Sequence, residues 1–259
     1  MFAFLNKGVK ASMLAGVLVA VPTVANAATK MLASNDYVGI SFWTISMAMV
    51  AATVFFLMEA GRLSGKWKTS MTVGALVTLI AAVHYFYMRE VWVETGESPT
   101  VFRYIDWILT VPLQMIEFYL ILAAVTTVSA GVFNRLLVGT LVMLIGGYLG
   151  EAGVINAMLG FIIGMAGWIY ILYEIFAGEA GQKSTSCGSV GAQMAFNACR
   201  MIVLVGWAIY PLGYLFGYLM GGVDAASLNL IYNLADFVNK IAFGVFIWAA
   251  AIADSAETA

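Results

Sequence analysis

Long apolar stretches alternate with short polar ones along this chain. Residues 38–58, 69–88, 152–173 and 201–223 are uncharged and each about 20 residues or more, enough to cross the hydrocarbon of a bilayer as a helix. The stretch 102–128 is as long but carries Asp106 and Glu117, and 225–253 carries Asp236 and Lys240. A shorter run, 136–150, would span with little tilt. The strict polar–apolar alternation of a membrane β-barrel is absent. The pattern therefore predicts an all-α membrane protein, a seven-transmembrane-helix bundle. Between spans, 89–100 (with Val91, Trp92 and Val93) reads as a short hairpin, and 178–189, rich in Gly, Ser and Thr, as a flexible loop. No internal repeat is visible, which weighs against an inverted-repeat transporter.

The first residues follow another pattern. Lys7 and Lys10 precede an apolar run, 11–24, that Pro22 interrupts, and Ala25-Asn26-Ala27 follows as a small-x-small site. This predicts a cleaved signal peptide over 1–27 and a seven-helix domain over 28–259. The other reading is an additional span, for which the run is short.

Composition sharpens the class. Of 259 residues, 63% are hydrophobic and 10% charged, where a soluble domain carries about 25% charged. That excludes an ordinary soluble enzyme, and a net charge of −2 provides no footprint for nucleic acid. Cys187 and Cys199 have no metal-ligand spacing, and no metal site is expected. Charge also orients the bundle. With the amino terminus outside, Arg62, Lys66, Lys68, Arg135 and Lys183 fall in inner loops, whereas Glu90, Glu94, Glu97, Glu151 and Asp224 fall outside. This agrees with the positive-inside rule and puts the carboxyl terminus in the cytoplasm.

Ionisable residues inside a span cost about 2.5–3.5 kcal/mol each on insertion scales and point to function by default. Asp236 and Lys240, four apart, share a helix face. Asp106 and Glu117, eleven apart, differ by only about 20° around the helix but by roughly 16 Å along it. Two acids thus lie on one stripe at different depths, with Thr110 and Gln114 near it, as a proton path requires. Blander readings exist: a neutralised Asp236–Lys240 pair, a neutral structural Glu117, and an Arg103 snorkelling to headgroups. Together they would have to account for two acids against one lysine plus an arginine.

The string Arg103-Tyr-Ile-Asp106-Trp107-Ile-Leu-Thr110-Val-Pro112-Leu-Gln114-Met-Ile-Glu117 resembles the third helix of the microbial rhodopsins. Asp236-Phe-Val-Asn-Lys240 resembles their retinal-attachment site, and Trp207-Ala-Ile-Tyr210-Pro211 their sixth-helix pocket wall. The likeness covers the chain after residue 27 and is greatest to blue-absorbing proteorhodopsins of marine bacteria.

The resemblance implies a bundle of the microbial rhodopsin type in the bacterial inner membrane, with all-trans retinal as cofactor. Lys240 would carry it as a protonated Schiff base, with Asp106 as counterion and proton acceptor and Asp236 as second counterion. Arg103 and Tyr232 would complete the charge complex, and Glu117 would be the cytoplasmic proton donor. His84, the only histidine, matches the acceptor's partner; read from its residue type alone, it is a histidine bonded to a backbone oxygen. Trp107, Thr110, Trp168, Trp207, Tyr210 and Pro211 match retinal-pocket positions, although aromatic residues at helical spacing are ordinarily packing. Gln114 occupies the position where leucine goes with green and glutamine with blue absorption; an interhelical hydrogen bond is its plainer role. Trp43 and His84 match positions near a protomer interface, and rings of five or six protomers are expected. Asp106, Thr110 and Glu117 together favour an outward proton pump. A slow-cycling photosensor is the alternative, disfavoured by the carboxylic donor.

Overall fold

The computed structural model describes residues 31–63 and 65–257, so the expected signal peptide over 1–27 lies outside the described residues. The compact unit from Ala33 onward holds the bundle. Helices α1 (Tyr37–Ala60), α2 (Gly65–Thr95), α3 (Thr100–Val125), α4 (Ala130–Glu151) and α5 (Ala157–Phe176) follow one another with short turns. A short helix, α6 (Glu179–Thr185), precedes α7 (Val190–Met201). A π-helical turn (Ile202–Gly206), α8 (Ile209–Tyr214) and a second π-helical turn (Leu215–Leu219) continue α7 into one span. The last helix, α9 (Ala225–Glu257), completes seven helices long and apolar enough to cross a membrane, and no strand occurs among the described residues.

Several boundaries differ from the hydropathy reading. The segment after residue 89 is no hairpin: α2 runs on to Thr95, because Trp92 turns its indole N–H to Asp36 at the start of α1 (3.0 Å). The chain reverses only at Gly96, whose φ of +72° suits a residue without a Cβ. The loop 178–189 contains α6, which an ionic cluster ties down. Arg135 donates to Glu174 (2.8 and 3.0 Å) and Glu179 (2.7 Å), and the Ala180 N–H also donates to Glu174 (3.1 Å). The same cluster draws α4 back to Ala130, so the fourth span needs no special tilt. The fifth starts at Ala157, where Asn156 caps the helix by accepting from the N–H groups of Met158 and Leu159. The sixth starts at Val190, eleven residues before the uncharged run does, because Arg200 lies over the Phe176 ring (4.8 Å) instead of ending the helix.

Packing order follows the chain: α1 on α2, α2 on α3, α3 on α4, α4 on α5, with α9 against α7, α1 and α2. The α4–α5 contact is backbone on backbone. A Cβ at Gly167 would come within 2.7 Å of the Gly139 carbonyl, and one at Gly160 within 2.9 Å of the Gly146 carbonyl. Glycine at these positions lets two apolar helices approach closely in lipid, where van der Waals contact drives association. Many apolar side chains point outward, among them Leu57, Val83, Ile162 and Leu234, as a lipid-facing surface requires.

Candidate functional site

Midway along α9, Lys240 is 4% exposed. Its Nζ donates to Asp106 Oδ2 of α3 (2.5 Å) and to Asp236 Oδ2 of its own helix (2.9 Å). Neither carboxylate reaches water, so one buried cation holds two buried anions, and the remaining lone pairs need donors. Asp236 has them: Tyr210 (2.6 Å), Tyr85 (2.8 Å) and the Trp107 indole N–H (3.2 and 3.3 Å). Asp106 has fewer, and its Oδ1 has no hydrogen-bond partner among the described residues. The two acids therefore sit in unequal surroundings beside one amine.

Arg103 supplies the second positive charge. It is 2% exposed, so it does not snorkel. Its Nη2 donates to Asn229 (2.7 Å) and Asn233 (3.0 Å), and its Nη1 lies 3.5 Å from the Tyr85 hydroxyl, which in turn donates to Asp236. The guanidinium thus reaches Asp236 through Tyr85. Two carboxylates, one ammonium and one guanidinium leave the cluster formally neutral.

Other candidates fall around this centre. The Nδ1 of His84 lies 2.9 Å from the Ile80 carbonyl, to which it can only donate, and 3.9 Å from Asp106 Oδ1. The ring therefore has the backbone bond that its residue type suggests and also faces the acid. Tyr232 meets the charge complex through Arg103 and not through a carboxylate: its ring lies 5.6 Å from the Arg103 guanidinium carbon, and its hydroxyl donates to the Tyr210 carbonyl (3.3 Å). Thr110, expected in the pocket, is fully buried and donates to the Asp106 carbonyl one turn back (2.9 Å) instead of lining the cavity. Glu117, 1% exposed, lies beyond it on α3 and accepts the hydroxyl of Ser70 from α2; its Oε1 has no partner among the described residues. Trp43, on α1, is exposed with its ring against Phe86 (5.6 Å) and beneath the Arg89 guanidinium (5.0 Å).

A partly open apolar cavity is lined by Lys240 and Asp236 of α9 together with Phe161 and Gly164 of α5. Trp107, Gln114, Trp168, Trp207, Tyr210 and Pro211 all line it. The buried Gln114 Nε2 has no partner among the described residues, so the amide is not used to join two helices. An apolar, aromatic-walled cleft with one amine in its lining fits a polyene aldehyde such as retinal: the walls take the hydrocarbon, and the amine is the nucleophile that a carbonyl group requires. Tyr85, Ser70, Asn229, Asn233 and Asn239 also belong to the site, although no sequence argument singled them out. Their signal was available for α9, since 229, 233, 236 and 240 recur at helical spacing on one face.

Comparison with known proteins places nearly the whole chain among relatives. The family described as bacteriorhodopsin-like protein matches residues 36–254. The chain is 56% identical over 250 residues to the blue-light absorbing proteorhodopsin of Gamma-proteobacterium Hot 75m4, covering 96% of this chain and 99% of that one. It is 55% identical over 249 residues to the green-light absorbing proteorhodopsin of Gamma-proteobacterium EBAC31A08, with the same coverage. The crystal structure of blue light-absorbing proteorhodopsin from Med12 superposes with a TM-score of 0.75 at 54% identity, covering 85% of this chain and 100% of that one.

Proposed function

Because the chain belongs to the bacteriorhodopsin-like family of multi-pass membrane rhodopsins, which bind retinal and include the light-driven proton pumps it matches over nearly its whole length, we propose that it pumps protons outward through Lys240, Asp106 and Glu117. The observation that carries this reading is the contact of Lys240 Nζ with Asp106 Oδ2, beside an apolar cavity that Lys240 lines.

When bound through Lys240 Nζ, retinal supplies light absorption and a light-driven change in proton affinity at that nitrogen. The protein's residues direct the proton. Asp106 is the acceptor: it touches the nitrogen, and it has fewer donors holding its charge than Asp236 has. Asp236, fixed by Tyr85, Tyr210 and Trp107, remains an anion and keeps the cluster neutral with Arg103. Glu117, with the amino terminus outside, lies on the cytoplasmic side of Asp106 and returns a proton to the nitrogen. It starts neutral because burial, with no ion-pair partner among the described residues, disfavours the carboxylate. Ser70 stabilises the carboxylate that remains after donation. His84, facing Asp106 Oδ1, adjusts the charge on the acceptor.

Gln114 tunes the pigment to blue light. Its unpartnered amide faces the cavity, where it stabilises the ground-state charge distribution relative to the excited state. The blue- and green-absorbing relatives match this chain almost equally, so the colour assignment rests on this residue. Trp43, exposed on α1, and His84, partly exposed on α2, are the proposed contact between protomers of a five- or six-membered ring.

Illumination of cells making the protein, in unbuffered medium with all-trans retinal, tests the pump. The medium should acidify, and an uncoupler should abolish the change. A pigment that forms yet moves no protons would overturn pumping and favour photosensing.

A further inference from the structure

The sixth span departs from regular helix beside the cavity, and the departure takes the usual donors from several carbonyls, those of Val203 and Gly206 among them. At the first π-helical turn the Trp207 N–H reaches back to Ile202 O (2.9 Å), so Val203 O loses the donor that a regular helix would provide. Three residues on, the Tyr210 N–H bonds Trp207 O (3.1 Å), so Gly206 O loses its donor as well. Both sites lie in the membrane, where water does not compensate and each orphaned carbonyl is costly.

Neighbouring spans supply the missing donors. Trp168 of α5 donates its indole N–H to Val203 O (3.0 Å). Asn239 of α9, 3% exposed, donates its amide to Gly206 O (3.1 Å) and lies 3.4 Å from the Tyr210 hydroxyl that holds Asp236. The approach of Asn239 depends on glycine at 206, where any Cβ would run into the Asn239 amide oxygen. Asn239 is also the residue immediately before Lys240 and lines the same cavity. One peptide unit therefore joins the amine that carries the chromophore to the donor that closes the bulge. A bulged helix closed by side chains from outside is a hinge whose stiffness those side chains set.

We propose that Asn239 is a positioning residue that couples the Lys240 segment to the hinge of the sixth span, with Trp168 holding the hinge from the other side. A shift of α9 at Lys240 alters the Asn239–Gly206 contact, frees or restrains the bend at Trp207–Pro211, and so sets how fast the cavity returns to its resting shape. The coupling rests on the retinal reading, whereas the restraint on the bulge does not.

Amide hydrogen exchange with peptide-level mass spectrometry tests the restraint, on retinal-free and retinal-loaded full-length protein. In Asn239→Leu, peptides spanning 202–212 should exchange about three- to tenfold faster in both forms, as expected on losing one buried hydrogen bond, with α1 and α2 unchanged. Gly206→Ala, which displaces the Asn239 amide without removing it, should do the same, and it serves if Asn239→Leu does not fold. Flash spectroscopy on the loaded variants reads the coupling: the slow recovery of the visible band should change at least threefold. Unchanged exchange over 202–212 would overturn the restraint, and unchanged recovery with faster exchange would overturn the coupling. Failure of the wild-type protein to form pigment would instead overturn the retinal reading, and the retinal-free exchange would still decide the restraint.

Discussion

Ser70 on α2 donates its hydroxyl to Glu117 on α3, and both side chains are shielded from solvent. The bond favours the charged acid that proton donation leaves behind. In Ser70→Ala that anion loses a hydrogen bond worth about 1–3 kcal/mol. Donation from Glu117 should slow roughly tenfold, seen as slower recovery of the visible band after a flash. Glu117→Gln should slow it further, and added azide, a diffusible proton carrier, should restore much of the loss.

Replacing the acceptor should separate colour from transport. Asp106→Asn keeps the cavity and Lys240, so a pigment should form with all-trans retinal while light-driven acidification falls to background. Lys240→Ala removes the amine and should leave no visible band. A band of normal strength in Lys240→Ala would sink the assignment of the attachment site.

Gln114→Leu removes the unpartnered amide from the cavity wall. The absorption maximum should move to longer wavelength, with pigment yield maintained. An unmoved maximum would refute the tuning role.

The two tyrosines bonded to Asp236 should matter more to colour than the one expected there from family likeness. Tyr85→Phe removes a donor to Asp236 (2.8 Å), whereas Tyr232→Phe removes a bond to the Tyr210 carbonyl. Absorption spectra across pH should shift more in the first variant than in the second. Equal shifts would show that Tyr232 acts on the carboxylates as strongly as Tyr85 does.

Packing of α4 on α5 depends on missing side chains. Gly167→Val should overpack the contact with Gly139 and cost about 1–3 kcal/mol. In detergent its thermal inactivation midpoint should drop by several degrees. Gly153→Ala, in a turn with open space around it, has only a positive φ of 69° to disturb and should cost less.

Much of this was legible from one-dimensional pattern. Apolar runs of bilayer length located seven helices, because lipid leaves few other ways to satisfy a backbone. The four ionisable residues of the site were visible because charge inside a span is rare enough to demand a reason. The run 229, 233, 236, 240 also lay in view, although its two asparagines, which hold Arg103, look unremarkable until the arginine is seen across from them. Helix ends were read less well. Hydropathy ended spans at Arg135 and Arg200, whereas the first has a buried acidic partner on α5 and a half-buried one on α6, and the second an aromatic ring on α5.

From sequence alone came the class of protein, the number of spans, their order and the identity of the charged groups, since these follow from local hydrophobicity and helical period. Only the tertiary structure decided which acid has surplus donors, that Arg103 acts through Tyr85, that Thr110 turns away from the cavity, and that Asn239 and Trp168 close the bulge in the sixth span. Those contacts join residues of different helices, and their formation depends on rotations and distances between helices that no periodicity along a single chain encodes.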